Sequence, residues 1–248
     1  MPTPFRRRVF RRALASMFAL CMIVGAAPAW AFQFVPTEKE FYVYPAYCQA
    51  KLSSFLKKQP HLRHGLQLMP PAEITRWEQM VGPDFFHLHH YCKGLSLLSR
   101  ALDPMTSRRE RARHFRFAAQ EIHYTWSRSK PGAPLWYEMS LKLARAYEGN
   151  GRRDRANEIY KDLLGGYSDK PDAWTEYAAF LKRRGELNDA IAVLEEGLSK
   201  TSSEGPLLFW LANYYFQLGD FEQAEATAER AEAAGMKVDR LKRRLGQL

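Results

Sequence analysis

The fold is decided by the stretch RAYEGNGRRDRANEIY at residues 145–160, which reads as the end of one amphipathic helix, a glycine turn and the start of another. The same pattern returns on a 34-residue period as FLKRRGELNDAIAVL at 180–194 and as YFQLGDFEQAEATA at 215–228. Registers that begin at residues 137, 171 and 205 align three columns of small residues: Ala144, Ala178 and Ala212; Gly151, Gly185 and Gly219; Ala156, Ala190 and Ala224. A repeat of this length predicts an array of similar helix pairs.

The columns have a physical meaning in such an array. Alanine at a helix crossing lets the two backbones approach to about 8–10 Å. Larger residues, aligned as Leu143, Tyr177 and Leu211, fill the layer between neighbouring units. Because one helix pair cannot bury its apolar face alone, the sequence predicts an all-α solenoid of stacked pairs.

These columns resemble the tetratricopeptide repeat (TPR) from Tyr137 to about Lys237, and Trp174-x-x-Tyr177-Ala178-x-x-Leu181 is the closest match to its first-helix pattern. The sequence departs from the family at the end of each unit, where the usual proline is replaced by Ser168, Ser202 and Met236. The resemblance implies a right-handed α-solenoid of helix-turn-helix units that binds proteins or peptides and has no catalytic activity. The Tyr-Cys and His-His-Tyr-Cys helices ahead of the repeats are also similar to those of secreted bacterial members of the class, which imply no activity.

The repeat register divides the whole chain. We predict a signal peptide at 1–31, an N-terminal helical extension at 32–82, a divergent TPR-like helical pair at 83–136, TPR units at 137–170, 171–204 and 205–238, and a C-terminal cap helix at 239–248. Residues 32–44 are expected to be extended, and helices are expected at 45–58, 71–81 and 108–128. Asp84 is the expected N-cap of a helix that runs to Leu102.

Residues 1–31 have the pattern of a secretory signal peptide: a basic head, an apolar run from Ala13, and Ala29-Trp30-Ala31 as a small-x-small cleavage signal. Cleavage after Ala31 would place the chain in a bacterial periplasm or outside the cell. The alternative is an uncleaved membrane anchor, since the apolar run approaches the roughly 18 residues that span a bilayer. Arg7-Arg8-Val9-Phe10 leaves a twin-arginine export route open beside the general secretory route.

The net charge of the chain bears on which kinds of partner are expected. The net charge of +10 includes five arginines of the signal segment, which contains no acid, so removing the segment leaves 32 bases against 27 acids, or +5. The bases are interleaved with acids, and nucleic acid is not an expected partner of a secreted chain. Membrane contact is expected only through the signal segment, if it is uncleaved.

The stretch HLHHYCKGL at 87–95 puts three histidines beside a cysteine. On a helix, Cys92 falls on an apolar stripe with Phe85, Leu88, Leu95 and Leu102, while His89 lies about 60° away and His87 and His90 lie on the far side. A metal site needs three or four convergent ligands, so this helix would have to borrow from others, namely His61, His64, His114 or His123. We expect no cofactor, and we keep metal or haem binding through His87, His89, His90 and Cys92 as the alternative function.

Two cysteines, Cys48 and Cys92, remain after removal of the signal segment, each on a predicted core-facing stripe. In an oxidising compartment we expect a disulfide between them, the alternative being two buried free thiols. A Cys92–His89 nucleophile would lack substrate access on such a stripe. The chain also lacks a phosphate loop, a serine hydrolase elbow, paired carboxylates and an HExxH motif, so an enzyme is not expected.

TPR arrays bind partners in a concave groove that the first helix of each unit lines. The resemblance implies the groove positions Leu141, Arg145, Glu148, Thr175, Ala179, Lys182, Phe209, Asn213 and Phe216. This surface would be basic at Arg145 and Lys182 and apolar at Phe209 and Phe216. The family's carboxylate-clamp pattern is not reproduced, so we expect an extended segment with an acid and an aromatic or aliphatic anchor. The alternative is that Phe209 and Phe216 pack against the C-terminal cap.

Overall fold

The computed structural model describes residues 36–62 and 65–246, so the predicted signal peptide and His64 lie outside the described residues. Within those ranges the chain is all-α, as predicted, and contains no strand. Its helices are α1 (Glu38–Val43), α2 (Ala46–Lys57), α3 (Pro71–Val81), α4 (Leu88–Leu102), α5 (Arg108–Trp126), α6 (Trp136–Gly149), α7 (Arg153–Gly166), α8 (Pro171–Arg184), α9 (Leu187–Leu198), α10 (Gly205–Leu218), α11 (Phe221–Ala233) and α12 (Asp239–Leu245). Short 3₁₀ turns occupy Pro60–Leu62 and Gly82–Phe86.

Consecutive helices pack as pairs, and each pair stacks on the next. The pairs are α4–α5, α6–α7, α8–α9 and α10–α11, and the stacking contacts are α5–α6, α7–α8 and α9–α10. At the N-terminal end, α2 packs on α3 and α4, and at the C-terminal end α12 packs on α11. The predicted α-solenoid with an N-terminal extension and a C-terminal cap helix is therefore confirmed. None of the described helices is both long and apolar enough to cross a membrane.

The small-residue columns occupy the positions that their chemistry requires. All six alanines, namely Ala144, Ala156, Ala178, Ala190, Ala212 and Ala224, have no exposed surface. Gly185 and Gly219 end α8 and α10 in the left-handed conformation, both with φ of 89°. A residue with a Cβ is strained in that conformation, so glycine is the natural end of α8 and α10.

Two local expectations are wrong. Residues 38–43 are helical rather than extended, because Thr37 and Glu40 form a capping box in which each side chain accepts a hydrogen bond from the other residue's backbone N–H. Asp84 does not cap α4, which begins at Leu88 without a side-chain cap. Asp84 lies in the preceding 3₁₀ turn, and its carboxylate accepts a hydrogen bond from Ser129 instead.

The buried face of α4 is wider than the predicted stripe. Cys92 and Leu88 are buried as expected, but Leu95 is half-buried and Leu102 is exposed. Tyr91, Gly94, Ser96, Leu97, Leu98 and Ala101 are buried as well. The reason is that α4 packs on α2 along one side and on α5 along another, so one apolar stripe does not describe it.

Candidate protein-binding surface

The first helices of the three repeat units, α6, α8 and α10, are neighbours, since α6 contacts α8 and α8 contacts α10. Each carries its three predicted groove positions at i, i+4 and i+7, a spacing that keeps side chains on one face of a helix. Lys182 is exposed, and the other eight positions are half-buried. The three helices therefore present a mixed polar and apolar surface.

Glu148 organises the polar centre of this surface. Its Oε1 lies 2.5 Å from Nε of Arg183, and its Oε2 lies 2.8 Å from Nη2 of Arg183 and 2.8 Å from Nη1 of Arg145. Burial lowers the pKa of Arg183, but the hydrogen bonds and charge of Glu148 outweigh it and raise that pKa. Glu148 holds both guanidinium groups, so Arg145 is paired rather than free, and the three side chains together keep one net positive charge.

Lys182 is the basic groove position that keeps its charge available. Its side chain is exposed, and across the described ranges no carboxylate lies within ion-pair distance of it. In the next unit Asn213 donates a hydrogen bond to the carbonyl oxygen of Phe209 at 2.7 Å, so its amide is partly occupied by its own helix. Lys182 is therefore the groove cation that is free to pair with an acidic side chain of a partner, beside the net positive charge of the Glu148 cluster.

The apolar end of the predicted groove packs against the cap. Phe209 and Phe216 are half-buried against a cluster that includes Leu208 of α10 and Leu241 of α12. The Arg244 guanidinium lies 4.0 Å above the centre of the Phe216 ring. Packing against the cap is therefore what these two side chains do in the isolated chain, and only their remaining exposed area is open to a partner.

Sequence reasoning missed Trp210, which is 40% exposed on α10. Its ring meets Phe209 edge-on at 5.5 Å and lies 5.9 Å from the ring of Tyr214. Exposed tryptophans are frequent energetic anchors of protein interfaces. The signal was present in the sequence, but matching groove positions unit by unit skipped it because Trp210 lies one residue beyond the aligned position.

Among the residues that the structure describes, the histidine stretch does not gather the ligands that the alternative metal or haem site would need. Cys92 is joined to Cys48 by the predicted disulfide, with a Cα–Cα distance of 5.6 Å, so it has no thiolate to offer. His90 Nδ1 lies 2.6 Å from Glu121 Oε2, and Lys93 Nζ lies 2.6 Å from the other oxygen of that carboxylate. Within residues 36–62 and 65–246, no group of three or more His, Cys, Asp or Glu side chains is arranged to hold a metal ion.

His89, His90 and His123 pack among the side chains of neighbouring helices. Burial first, and then the neighbouring charges of His90 and Lys51, lower the pKa of His89 to about 4, so it is neutral at neutral pH. His90 packs on Tyr124 with ring centres 4.0 Å apart. His123 Nδ1 lies 3.0 Å from the hydroxyl of Tyr147. These contacts belong to the packing between α4, α5 and α6.

A second contact that the sequence did not reveal ties the extension to the repeats. The hydroxyls of Tyr47 and Tyr91 both donate to Oε1 of Glu138, at 2.5 and 2.8 Å. Burial, followed by the charges of Tyr47 and Glu138, raises the pKa of the fully buried Tyr91, which keeps it a donor. Tyr47 and Tyr91 directly precede the bonded Cys48 and Cys92, so the disulfide and the Glu138 contact lie side by side.

These features define a helical-repeat protein of the tetratricopeptide class, in which stacked helix pairs generally serve protein–protein interaction without catalysis. Residues 140–240 match the family described as the cilia and flagella-associated protein 70 middle TPR-like domain. This match supports a TPR-like assignment for the repeat units. Comparison with curated proteins and with solved structures found no match.

Proposed function

We propose that the chain is a non-catalytic scaffold or adaptor of a bacterial cell envelope, which binds a protein or peptide segment on the concave surface of α6, α8 and α10. Residues 1–31 export it and are removed after Ala31, which leaves the protein in the periplasm or outside the cell. The disulfide between Cys48 and Cys92 supports export, because such bonds persist in oxidising compartments.

One observation carries the binding proposal: Lys182 and Trp210, on adjacent first helices, are both exposed, and the groove polar network leaves Lys182 without a carboxylate. An exposed cation and an exposed aromatic anchor on adjacent helices suit an extended segment with one acid and one apolar side chain. Because Arg145 is paired with Glu148, we assign the acid-binding position to Lys182.

The test is in-cell crosslinking of the envelope fraction with a photoreactive amino acid at position 179, about one turn before Lys182 on α8. We expect defined crosslinked partners for the native groove and their loss in Lys182→Glu combined with Trp210→Ala, because the charge reverses and the anchor is removed. Circular dichroism should show that the variant is folded, with a lower melting temperature because Trp210→Ala removes a partly buried ring that packs on Phe209 and Tyr214.

The matched control is Lys200→Glu combined with Met105→Ala, which reverses one exposed lysine and truncates one exposed apolar side chain away from α6, α8 and α10. It should keep every crosslink. Identical crosslinks in the groove variant and in the control would refute the proposed surface.

A further inference from the structure

The outer face of α5 carries a stripe of arginines that the proposed groove does not use. Arg109, Arg113 and Arg116 lie at i, i+4 and i+7, all three are exposed, and they line a surface groove of about 850 Å³. In the part of the chain that the structure describes, none of them has a carboxylate within ion-pair distance. The one acid in the groove, Glu110, is hydrogen-bonded to Ser107 at the start of α5. We call these three arginines the basic stripe.

The repeat fold does not require this charge. The groove between α7 and the α8–α9 turn corresponds by the repeat period to the groove that Arg116 and Arg152 share in the preceding unit, and its mixed lining includes Glu186, Asp189 and Glu196. Arg152 lies beside the basic stripe, in a groove that it shares with Arg116. The equivalent position is Glu186 in the next repeat unit and Asp220 in the one after it. The sign of the charge at one structural position therefore reverses along the array.

The opposite charge lies on the outer face of α11. Glu222, Glu225 and Glu229 are exposed at i, i+3 and i+7, and they form no ion pair within the described residues. The neighbouring Glu232 is paired with Lys242 of α12, whose charge also reaches Glu229. We call Glu222, Glu225 and Glu229 the acidic stripe.

The two stripes match in spacing as well as in sign. Both span seven residues, or about 10.5 Å at about 1.5 Å per residue. The steps are four then three residues in the basic stripe, and three then four in the acidic stripe. When the helices run antiparallel, Arg116 therefore faces Glu222, Arg113 faces Glu225 and Arg109 faces Glu229 in a single register.

The basic and acidic stripes cannot form ion pairs with each other within one chain. The reason is that α5 packs between α4 and α6, whereas α11 packs between α10 and α12 near the other end of the array. We propose that the acidic stripe on α11 of one copy docks antiparallel on the basic stripe on α5 of a second copy. The contact joins different patches on the two copies, so it is head-to-tail and leaves one stripe free at each end. Assembly can then continue beyond a dimer.

A second copy is the occupant that the molecule itself supplies, since both complementary stripes are present in one chain. Exposed ion pairs are individually weak and are screened by salt. The assembly should therefore be reversible, concentration-dependent and suppressed by ionic strength, unlike an association driven by a large apolar interface.

The first test is sedimentation of the purified protein at two ionic strengths. At about 0.01 M, where the Debye length is about 30 Å, we expect the weight-average mass to rise with concentration past that of a dimer. At about 1 M, where it is about 3 Å, the protein should be monomeric. A monomer at every concentration in low salt overturns the proposal.

The second test separates the two stripes by neutral substitution. Arg109→Gln, Arg113→Gln and Arg116→Gln remove the basic stripe, and Glu222→Gln, Glu225→Gln and Glu229→Gln remove the acidic stripe. Each triple variant alone should be monomeric in low salt. An equimolar mixture should form a 1:1 heterodimer and nothing larger, because only one complementary pair of stripes remains.

The matched control replaces three exposed lysines outside the stripes, Lys130, Lys161 and Lys200, with glutamine and should assemble like the native chain. Circular dichroism melting should show that all variants are folded. Assembly that survives either triple variant overturns the proposal, as does a mixture that stays monomeric. A native chain that remains monomeric while the basic stripe binds a polyglutamate peptide also overturns it, in favour of a foreign acidic partner.

Discussion

At the scale of single residues, Glu148 is the side chain on which the polar part of the candidate surface depends. Its carboxylate is only 10% exposed and holds two guanidinium groups from adjacent first helices. Hydrogen bonds to charged groups contribute about 1.5–3 kcal/mol when buried, and partial exposure of Arg183 reduces that figure. We expect Glu148→Gln to lower the free energy of unfolding by about 1–2 kcal/mol, measured by urea denaturation.

The control for Glu148 is Glu158→Gln. Arg155 and Glu158 form an i, i+3 pair in which both side chains are more than half exposed, at 68% and 61%. Such pairs contribute about 0–1 kcal/mol, so this variant should stay within about 0.5 kcal/mol of the native chain. Equal losses in the two variants would show that the link between α6 and α8 does not stabilise the array.

The two arginine contacts of Glu148 show which interactions a sequence pattern can predict and which it cannot. The spacing of Arg145 and Glu148 on one helix makes their contact readable in advance. The bidentate contact from Arg183 is not readable, because Arg183 is 35 positions away from Glu148 and meets it only through the angle at which one unit stacks on the next. The sharing of Glu148 with a second guanidinium group therefore depends on a packing angle that the sequence pattern does not specify.

At the scale of helices, the close contact of α4 and α5 depends on one glycine. A Cβ at Gly94 would lie 2.5 Å from Cγ1 and 3.2 Å from the backbone N of Ile122. Because the second contact is to backbone, the helices must separate to accept a methyl group. We expect Gly94→Ala to lower the free energy of unfolding by about 1–3 kcal/mol, the usual range for overpacking, by urea denaturation.

The matched control is Gly165→Ala on α7, where an added Cβ would meet nothing within 4 Å. Removing the backbone freedom of that glycine should raise the free energy of unfolding by up to about 1 kcal/mol. The two substitutions add the same methyl group to helical glycines and should act in opposite directions. A stabilised Gly94→Ala variant would mean that α4 and α5 have room to adjust.

Three helices were predicted with both their positions and their boundaries, whereas one short helix and the buried face of α4 were not. The helices predicted at 45–58, 71–81 and 108–128 exist as α2, α3 and α5, each within two residues at either end. The helix at 38–43 was missed although Thr37 and Glu40 form a capping box, a signal that the sequence contains. The predicted stripe on α4 was too narrow, since periodicity along one helix cannot show that two neighbours, α2 and α5, cover different sides of it.

At the scale of the whole molecule, stability is distributed along a quasi-one-dimensional stack in which each helix pair contacts chiefly its neighbours. The repeat columns predicted this architecture because small residues at fixed spacing admit only stacked helix pairs. The N-terminal extension is tied to the stack differently, through the Cys48–Cys92 bond and through Glu138 of α6, which accepts from Tyr47 and Tyr91. The disulfide was predictable because two cysteines follow the predicted signal segment, whereas the contact of Glu138 with the two tyrosines was not predictable.

The disulfide should therefore protect the backbone amides of the N-terminal helices from hydrogen exchange more than those of the rest of the array. It closes a loop of 44 residues, for which loop-closure entropy gives a stabilisation of up to about 4 kcal/mol. In Cys48→Ala combined with Cys92→Ala, we expect faster amide hydrogen exchange in α1, α2 and α3, while α8 to α11 keep native protection, because units far from the bond share no contact with it. Dithiothreitol should reproduce this pattern in the native chain and leave the double variant unaffected. Equal loss of protection in α2 and in α10 would instead show that the array unfolds as one cooperative unit, with the extension as part of its core.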